Sequence, residues 1–134
     1  MSKAFFNART ALLAGAMLFN TATASFADAQ DYEFQAVQTD IKQGPGATVS
    51  VRLIDKRTGK AIPDAVIFTT RMDMAPDGME TMTTTVEPTT STEPGVYAFT
   101  TNLSMEGGWR FQVAAKVQGE PETVKGEVVL EAIP

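Results

Sequence analysis

The sequence predicts an all-β protein, an immunoglobulin-like antiparallel β-sandwich of about seven strands preceded by a signal peptide. Three observations lead to this fold class. Polar and apolar residues alternate in short segments, and clusters of Gly, Pro and Asp separate these segments. No segment after residue 28 has the period of an amphipathic helix. A chain of 134 residues has room for one such domain.

Residues 1–27 have the layout of a secretory signal peptide. The start is positive and carries no acidic residue, and the apolar run 11–19 is too short to cross a bilayer of about 30 Å as a helix. Small residues then predict cleavage after Ala27, with Ala24 and Ala29 as alternatives. We therefore expect a periplasmic protein that is not inserted in the membrane after cleavage.

The remaining domain, residues 28–134, is acidic. It has nine basic and sixteen acidic residues, a formal net charge of −7. Nucleic acids and anionic membranes bind clustered Lys and Arg, so we expect neither as a partner, whereas cations are compatible. The chain has no cysteine and no histidine, and its serines and carboxylates form no recognisable catalytic constellation. We therefore expect a protein that is not an enzyme.

Seven segments of this domain carry the alternation or the residue types of a β-strand. They are 32–40, 47–55, 64–74, 79–87, 95–103, 108–117 and 122–131. The clearest is 108–117, in which apolar residues from Trp109 to Val117 occupy every second position. In the third segment, Val66 and Phe68 are predicted to share one face with Met72.

The methionines are concentrated in one part of the domain. All five that follow residue 28 lie between residues 72 and 105: Met72, Met74, Met79, Met82 and Met105. A thioether sulfur is a soft, neutral ligand that suits Cu(I), and by the same logic Ag(I), better than Zn(II), Mg(II) or Ca(II). These five side chains are therefore the candidate metal ligands.

A turn at residues 75–78 predicts a hairpin that brings methionines of two strands together. With a four-residue loop, Met74 faces Met79. A one-residue bulge instead places Met72 opposite Met82. Both registers stay open at this point, and both bring at least two sulfur atoms within reach of one metal ion.

The direction of the chain predicts that a second turn approaches the methionine hairpin. In an antiparallel sandwich every second turn lies at the same end, so the turn that carries Met105 should meet the methionine hairpin. We expect three thioethers to bind one ion at once. Trp109, which follows this turn, is a candidate to cover the ion with its ring face.

The same residues also have structural interpretations. Met72 continues a predicted core face and Trp109 begins the clearest strand, so both are candidates for the core. Met74 and Met79 flank a polar turn and are expected to resist burial. An exposed methionine patch is alternatively an adaptable surface for docking another protein.

Four acidic residues accompany the methionines. We expect these residues to be solvated loop charges that attract cations to this end of the domain. They are Asp73, Asp77, Glu80 and Glu106.

Four stretches resemble the YtkA-like domain family, which is related to the FixH-like family. They are the strand–turn–strand opening 51–65, the Met72-x-Met74 element followed by Met79, the Pro-Gly-Val-Tyr stretch 94–97, and residues 103–110 with their Met-Glu-Gly-Gly-Trp turn. The resemblance covers roughly residues 31–131. It implies an exported immunoglobulin-like β-sandwich of a kind often associated with heavy-metal efflux or with assembly of copper-dependent oxidases.

The membrane anchor separates these two associations. FixH proteins proper carry an N-terminal anchor, whereas the apolar run here is short and has a cleavage site. The resemblance therefore favours an accessory of efflux over oxidase assembly at the membrane.

Together these features predict a periplasmic, methionine-rich module that carries Cu(I) or Ag(I) or assists a heavy-metal efflux system. Its expected partners are the metal ion and a periplasmic or membrane protein such as an efflux component. The alternative is a metal-independent interaction domain that docks on an efflux or oxidase-assembly partner.

Overall fold

A computed structural model describes residues 29–134, so the predicted signal peptide lies outside the described residues. Ten strands and the short 3-10 turns Ala29–Asp31 and Ala75–Asp77 make up this part of the chain. The strands are β1 (Tyr32–Ala36), β2 (Asp40–Lys42), β3 (Gly44–Asp55), β4 (Lys60–Ala61), β5 (Val66–Met74), β6 (Met79–Thr84), β7 (Val86–Thr89), β8 (Val96–Leu103), β9 (Gly107–Lys116) and β10 (Val124–Ile133). Within residues 29–134, no helix is long and apolar enough to cross a bilayer.

The strands form two five-stranded sheets. One sheet has the order β1-β3-β8-β7, with β4 paired to β3, and the other has the order β2-β10-β9-β5-β6. Neighbours run antiparallel, apart from β2, which runs parallel to β10. In immunoglobulin strand letters these orders read A-B-E-D and A′-G-F-C-C′. The predicted immunoglobulin-like β-sandwich is therefore confirmed.

The core lies between the two sheets and is built from the inward-facing residues of both. In β9, buried Trp109 and Phe111 alternate with half-buried Arg110. Phe111 meets Phe99 of β8 edge to face, with ring centroids 5.1 Å apart. Each side chain of this kind contributes about 1.5–3 kcal/mol when it is buried. The contact joins interior strands of the two sheets.

Two predicted strands are divided between the sheets. In segment 32–40, Val37 N–H still donates to a β3 carbonyl at 3.0 Å, whereas Thr39 O accepts from β10 at 2.7 Å. Segment 79–87 likewise becomes β6 in one sheet and β7 in the other. Sequence alternation indicates the faces of a strand but not its neighbours, so it does not reveal where the chain changes sheets.

The outward side of β5 also differs from the prediction. Val66 is 63% exposed and Phe68 is 53% exposed, whereas Met72 is fully buried, so the predicted common face is wrong. The register with β9 shifts between Ile67 and Thr69, which makes Phe68 an extra residue. Such a bulge interrupts the alternation that sequence periodicity assumes to be constant.

Candidate functional site

Three turns meet at one end of the sandwich. We call it the methionine end, and it contains residues 43–44, 72–82 and 103–109. Gln43 Nε2 donates to Ser104 O at 3.1 Å, and Gly108 N–H donates to Asp77 Oδ2 at 3.2 Å. The second of these hydrogen bonds confirms the predicted approach of the methionine hairpin to the turn that carries Met105.

The methionine hairpin joins β5 to β6 through the 3-10 turn Ala75–Asp77. Its register pairs Met74 with Met79, and it pairs Met72 with Thr84. The first of the two registers left open by the sequence is therefore the observed one. The backbones of Met74 and Met79 are direct neighbours across the hairpin.

The β6 side of the hairpin contains a bulge. Consecutive residues Asp73 and Met74 of β5 pair with Thr83 and Met79 of β6. The intervening residues 80–82, which we call the β6 bulge, have no register partner on β5. The bulge separates two of the candidate ligands along β6.

The five methionines divide into buried and accessible side chains. Met72 and Met74 have no exposed surface and belong to the hydrophobic core, and Met82 is partly buried against it. Met79 is 37% exposed and Met105 is 39% exposed. The expectation that Met74 would resist burial is therefore wrong.

Met74 is buried because the neighbouring turn lies directly on the hairpin. A Cβ atom at Gly107 would lie 3.2 Å from Met74 Cε, and one at Gly108 would lie 2.8 Å from Pro76 Cβ. Real Cβ atoms do not approach another atom as closely as the second distance, so glycine at 108 allows the contact. The Met74 methyl group thus lies beside the chain two residues after Met105.

Trp109 anchors the turn that carries Met105. Its side chain is fully buried, and its indole Nε1–H donates to Met105 O at 3.0 Å. The hydrogen bond satisfies the polar atom of the buried ring, as such rings require. This arrangement supports the core interpretation of Trp109, and its role in covering a cation stays a prediction.

A buried carboxylate lies between the two core methionines in the sequence. Asp73 has no exposed surface, and its Oδ2 accepts hydrogen bonds from Arg71 Nε at 2.7 Å and from Arg110 Nη2 at 2.8 Å. Its Oδ1 accepts from Ala75 N–H at 3.0 Å. The expectation that Asp73 is a solvated loop charge is wrong, because two arginines compensate its burial.

The surroundings of Asp73 favour its ionised form. Burial by itself raises the pKa of Asp73, but the hydrogen bonds from Arg110, Ala75 N–H and Arg71 together hold that pKa below its ordinary value. The hydrogen bond to Asp73 raises the pKa of Arg110 in turn, against the effect of desolvation. Both shifts favour the charged forms of Asp73 and Arg110.

The remaining acidic residues at this end are exposed, as expected. They are Asp77, Glu80 and Glu106. Among residues 29–134, no three carboxylate side chains are grouped so that they could hold a metal ion. The thioethers as ligands for a soft monovalent ion stay a prediction.

A groove of about 530 Å³ lies between β5 and the β7–β8 pair. Its lining includes the exposed side chain of Phe68 together with threonine, proline and tyrosine side chains, and it contains no methionine and no charged residue. The groove is therefore separate from the candidate site.

Sequence reasoning missed the arginines that hold Asp73. The spacing Arg71-x-Asp73 puts both side chains on one face of a strand, and this is the signal from which the first ion pair was predictable. Arg110 is 37 residues away from Asp73. Its contact depends on the register between β5 and β9, which a single sequence does not show.

The fold and the methionine end define the class of protein: an immunoglobulin-like β-sandwich domain with methionine-rich turns at one end. The chain belongs to the YtkA-like family, whose sequence model matches residues 26–114. The match includes all five methionines of the domain.

Solved structures give weaker similarities. The Lin-41 filamin domain is 20% identical over 75% of this chain and 94% of that chain, with a TM-score of 0.44. The ZirS C-terminal domain is 12% identical over 84% of this chain and 74% of that chain, with a TM-score of 0.41. No curated protein matches the sequence.

Proposed function

We propose that this protein is an exported, non-enzymatic periplasmic module that binds Cu(I) or Ag(I) as cargo and assists a heavy-metal efflux system. The observation that carries this proposal is the position of the two exposed methionines. Met79 and Met105 lie on segments that are connected by the hydrogen bond from Gly108 to Asp77. Soft monovalent ions prefer such thioether ligands.

The geometry favours three of the five methionines as the ligand set. Met74 pairs with Met79 across the hairpin, and its methyl group lies beside Gly107, close in sequence to Met105. Met79 and Met105 are accessible and receive the ion first. Met74 joins them when its flexible side chain turns toward the surface, which three rotatable bonds allow.

Charge and exposure support a carrier that releases its ion. The exposed carboxylates of Asp77 and Glu106 draw cations to this end of an acidic domain. Because two of the three proposed ligands are partly exposed, an acceptor protein can replace them one at a time. Ligand exchange to a periplasmic or membrane partner, such as an efflux component, completes the proposed function.

The alternative is a metal-independent docking domain. The same exposed side chains, Met79 and Met105, are apolar and conformationally adaptable, as methionines at promiscuous binding surfaces are. In this case an efflux or oxidase-assembly partner binds the methionine end equally well with and without copper.

An anaerobic Cu(I) titration against a chromophoric competitor tests the proposal. The wild type is compared with the Met79→Leu/Met105→Leu double variant, and Met72→Leu serves as a control at a buried position. Leucine roughly conserves volume, so each change should cost less than about 1.5 kcal/mol of stability. We expect stoichiometric binding in the wild type and the control, and a loss of affinity of about tenfold or more in the double variant.

Equal affinity in all three proteins contradicts the thioether site. If the wild type binds no copper, the docking alternative is tested next. The double variant should then lose partner binding in the absence of metal, whereas Met72→Leu should retain it.

A further inference from the structure

The β6 bulge lies outside the ladder between β5 and β6. Residues 80–82 have no register partner on β5, yet Met79 precedes the bulge and Met82 ends it. A strand segment that is not paired with its neighbour is less constrained than the rest of the sheet. The positions of both thioethers therefore depend on what else fixes the bulge.

Arg71 connects the bulge to the core. Its Nη2 donates to Glu80 O at 2.8 Å, and its Nε donates to Asp73 Oδ2 at 2.7 Å. Asp73 is itself held by Arg110 of β9 and by Ala75 N–H. One planar guanidinium thus joins the backbone of the bulge to a fully buried carboxylate.

We propose that Arg71 is a positioning residue for metal binding. It fixes the backbone at Glu80 and so limits the positions that Met79 and Met82 adopt before an ion arrives. A preorganised site loses less conformational entropy on binding, so it binds more tightly. Arg71 does not contact the ion. Its role rests on the proposed function because Met79 is one of the three ligands proposed there, whereas Met82 reports only on the bulge.

The opposite end of the sandwich contains a matched arginine. Arg57 donates to Asp55 through Nε at 3.1 Å and Nη2 at 3.0 Å. The Arg57 and Arg71 side chains are both 47% exposed. Arg57→Gln therefore removes the same charge from a similar ion pair, far from the methionines.

The test combines metal titrations with spectra of the metal-free proteins. Wild type, Arg71→Gln, Arg71→Lys and Arg57→Gln are titrated with Cu(I) and with Ag(I) against a competitor. We expect Arg71→Gln to weaken binding about tenfold or more and Arg57→Gln to leave it unchanged. Arg71→Lys should not restore affinity, because an ammonium group lacks the fork that reaches both acceptors.

Methionine-methyl NMR of the metal-free proteins gives the second readout. In Arg71→Gln the Met79 and Met82 methyl signals should shift or broaden, whereas in Arg57→Gln they should match the wild type. Thermal unfolding of each variant confirms that it is folded.

Each contrary outcome has a distinct meaning. Equal weakening by Arg71→Gln and Arg57→Gln, or unchanged Met79 and Met82 methyl signals in Arg71→Gln, overturns the positioning role. Absence of metal binding in the wild type overturns the proposed function. The methyl spectra then still decide whether Arg71 fixes the bulge.

Discussion

The two ends of the sandwich contain the same kind of ion pair in different surroundings. Arg71 and Asp73 lie two residues apart at the methionine end, and Asp55 and Arg57 lie two residues apart at the opposite end. Asp73 is fully buried, whereas Asp55 is 8% exposed. At the opposite end Arg57 also lies over the ring of Tyr32, 5.8 Å from its centroid.

The two ion pairs differ in the segments that they hold together. At the opposite end, Asp55 and Arg57 close a turn, and the Tyr32 hydroxyl donates to Glu120 at 2.6 Å. That cluster fastens β1 and β3 and presents no soft ligand. At the methionine end the equivalent pair fastens segments that carry accessible thioethers. An ion pair of the same composition is therefore structural at one end and tied to the candidate site at the other.

Removing the largest buried side chain at the methionine end should have the largest effect on stability. Trp109→Ala should lower the free energy of unfolding by about 3–5 kcal/mol, because it leaves a cavity in the core. Trp109→Phe should cost less because it keeps an aromatic ring in the core. Its remaining cost comes from the smaller ring and from the lost hydrogen bond to Met105 O. Urea denaturation measures both values, and a loss below about 1 kcal/mol for the alanine variant would show that Trp109 is not a core residue.

Replacing each aspartate by asparagine should lower the free energy of unfolding by different amounts at the two ends. Both losses should be smaller than the loss for Trp109→Ala. Asp73→Asn should cost about 3 kcal/mol, because Arg71 and Arg110 then face a buried neutral group. Asp55→Asn should cost less, since water reaches the Asp55–Arg57 pair and screens it. The comparison uses urea denaturation at neutral pH. Equal losses at the two positions would mean that the difference in burial has no energetic weight.

The smallest expected effect on stability appears at alkaline pH and comes from Tyr32 at the opposite end. Burial, followed by the hydrogen bond to Glu120, raises the pKa of Tyr32 from 10.0 to about 12. Because the folded-state pKa lies above the unfolded value, the neutral phenol contributes stability that is complete below about pH 10 and is lost as the pH rises toward about 12. Tyr32→Phe should remove this part of the pH dependence.

Unfolding midpoints measured at about pH 9 and about pH 11.5 test this prediction, with phenolate absorbance as a second signal. Tyr97 remains in the Tyr32→Phe variant, so the difference between the two titrations belongs to Tyr32. Identical pH dependence in both proteins would contradict the role of the buried phenol.

Much of the architecture was predictable from the sequence. The alternation from Trp109 to Val117 and the turn residues between segments are local features, and they fix the fold class without knowledge of distant contacts. Chain direction then predicted that the turns at the methionine end meet. The resemblance to the YtkA-like family added information that periodicity does not contain. The match to the family model confirms the membership in that family.

Two of the errors share one physical cause, which is contact between residues far apart in the chain. Met74 is buried because Gly107 and Gly108 let another turn lie on the hairpin. Asp73 is buried because Arg110 of β9 meets it. Bulges add a second difficulty, since one extra residue at Phe68 reverses the faces that follow it.

The change of sheets at Thr85 has a mechanical consequence for the methionine end. Thr101 is buried and its hydroxyl donates to Thr85 O at 2.7 Å, and from there Val86–Thr89 is paired with β8 along its length. Thr83 and Thr84 are paired with β5, so Thr85 joins two paired segments that belong to different sheets. A displacement of the β6 bulge is therefore expected to end at Thr83, where pairing with β5 begins, and to leave the second sheet in place. The unpaired residues 80–82 are in this way separated from the second sheet by a short paired segment.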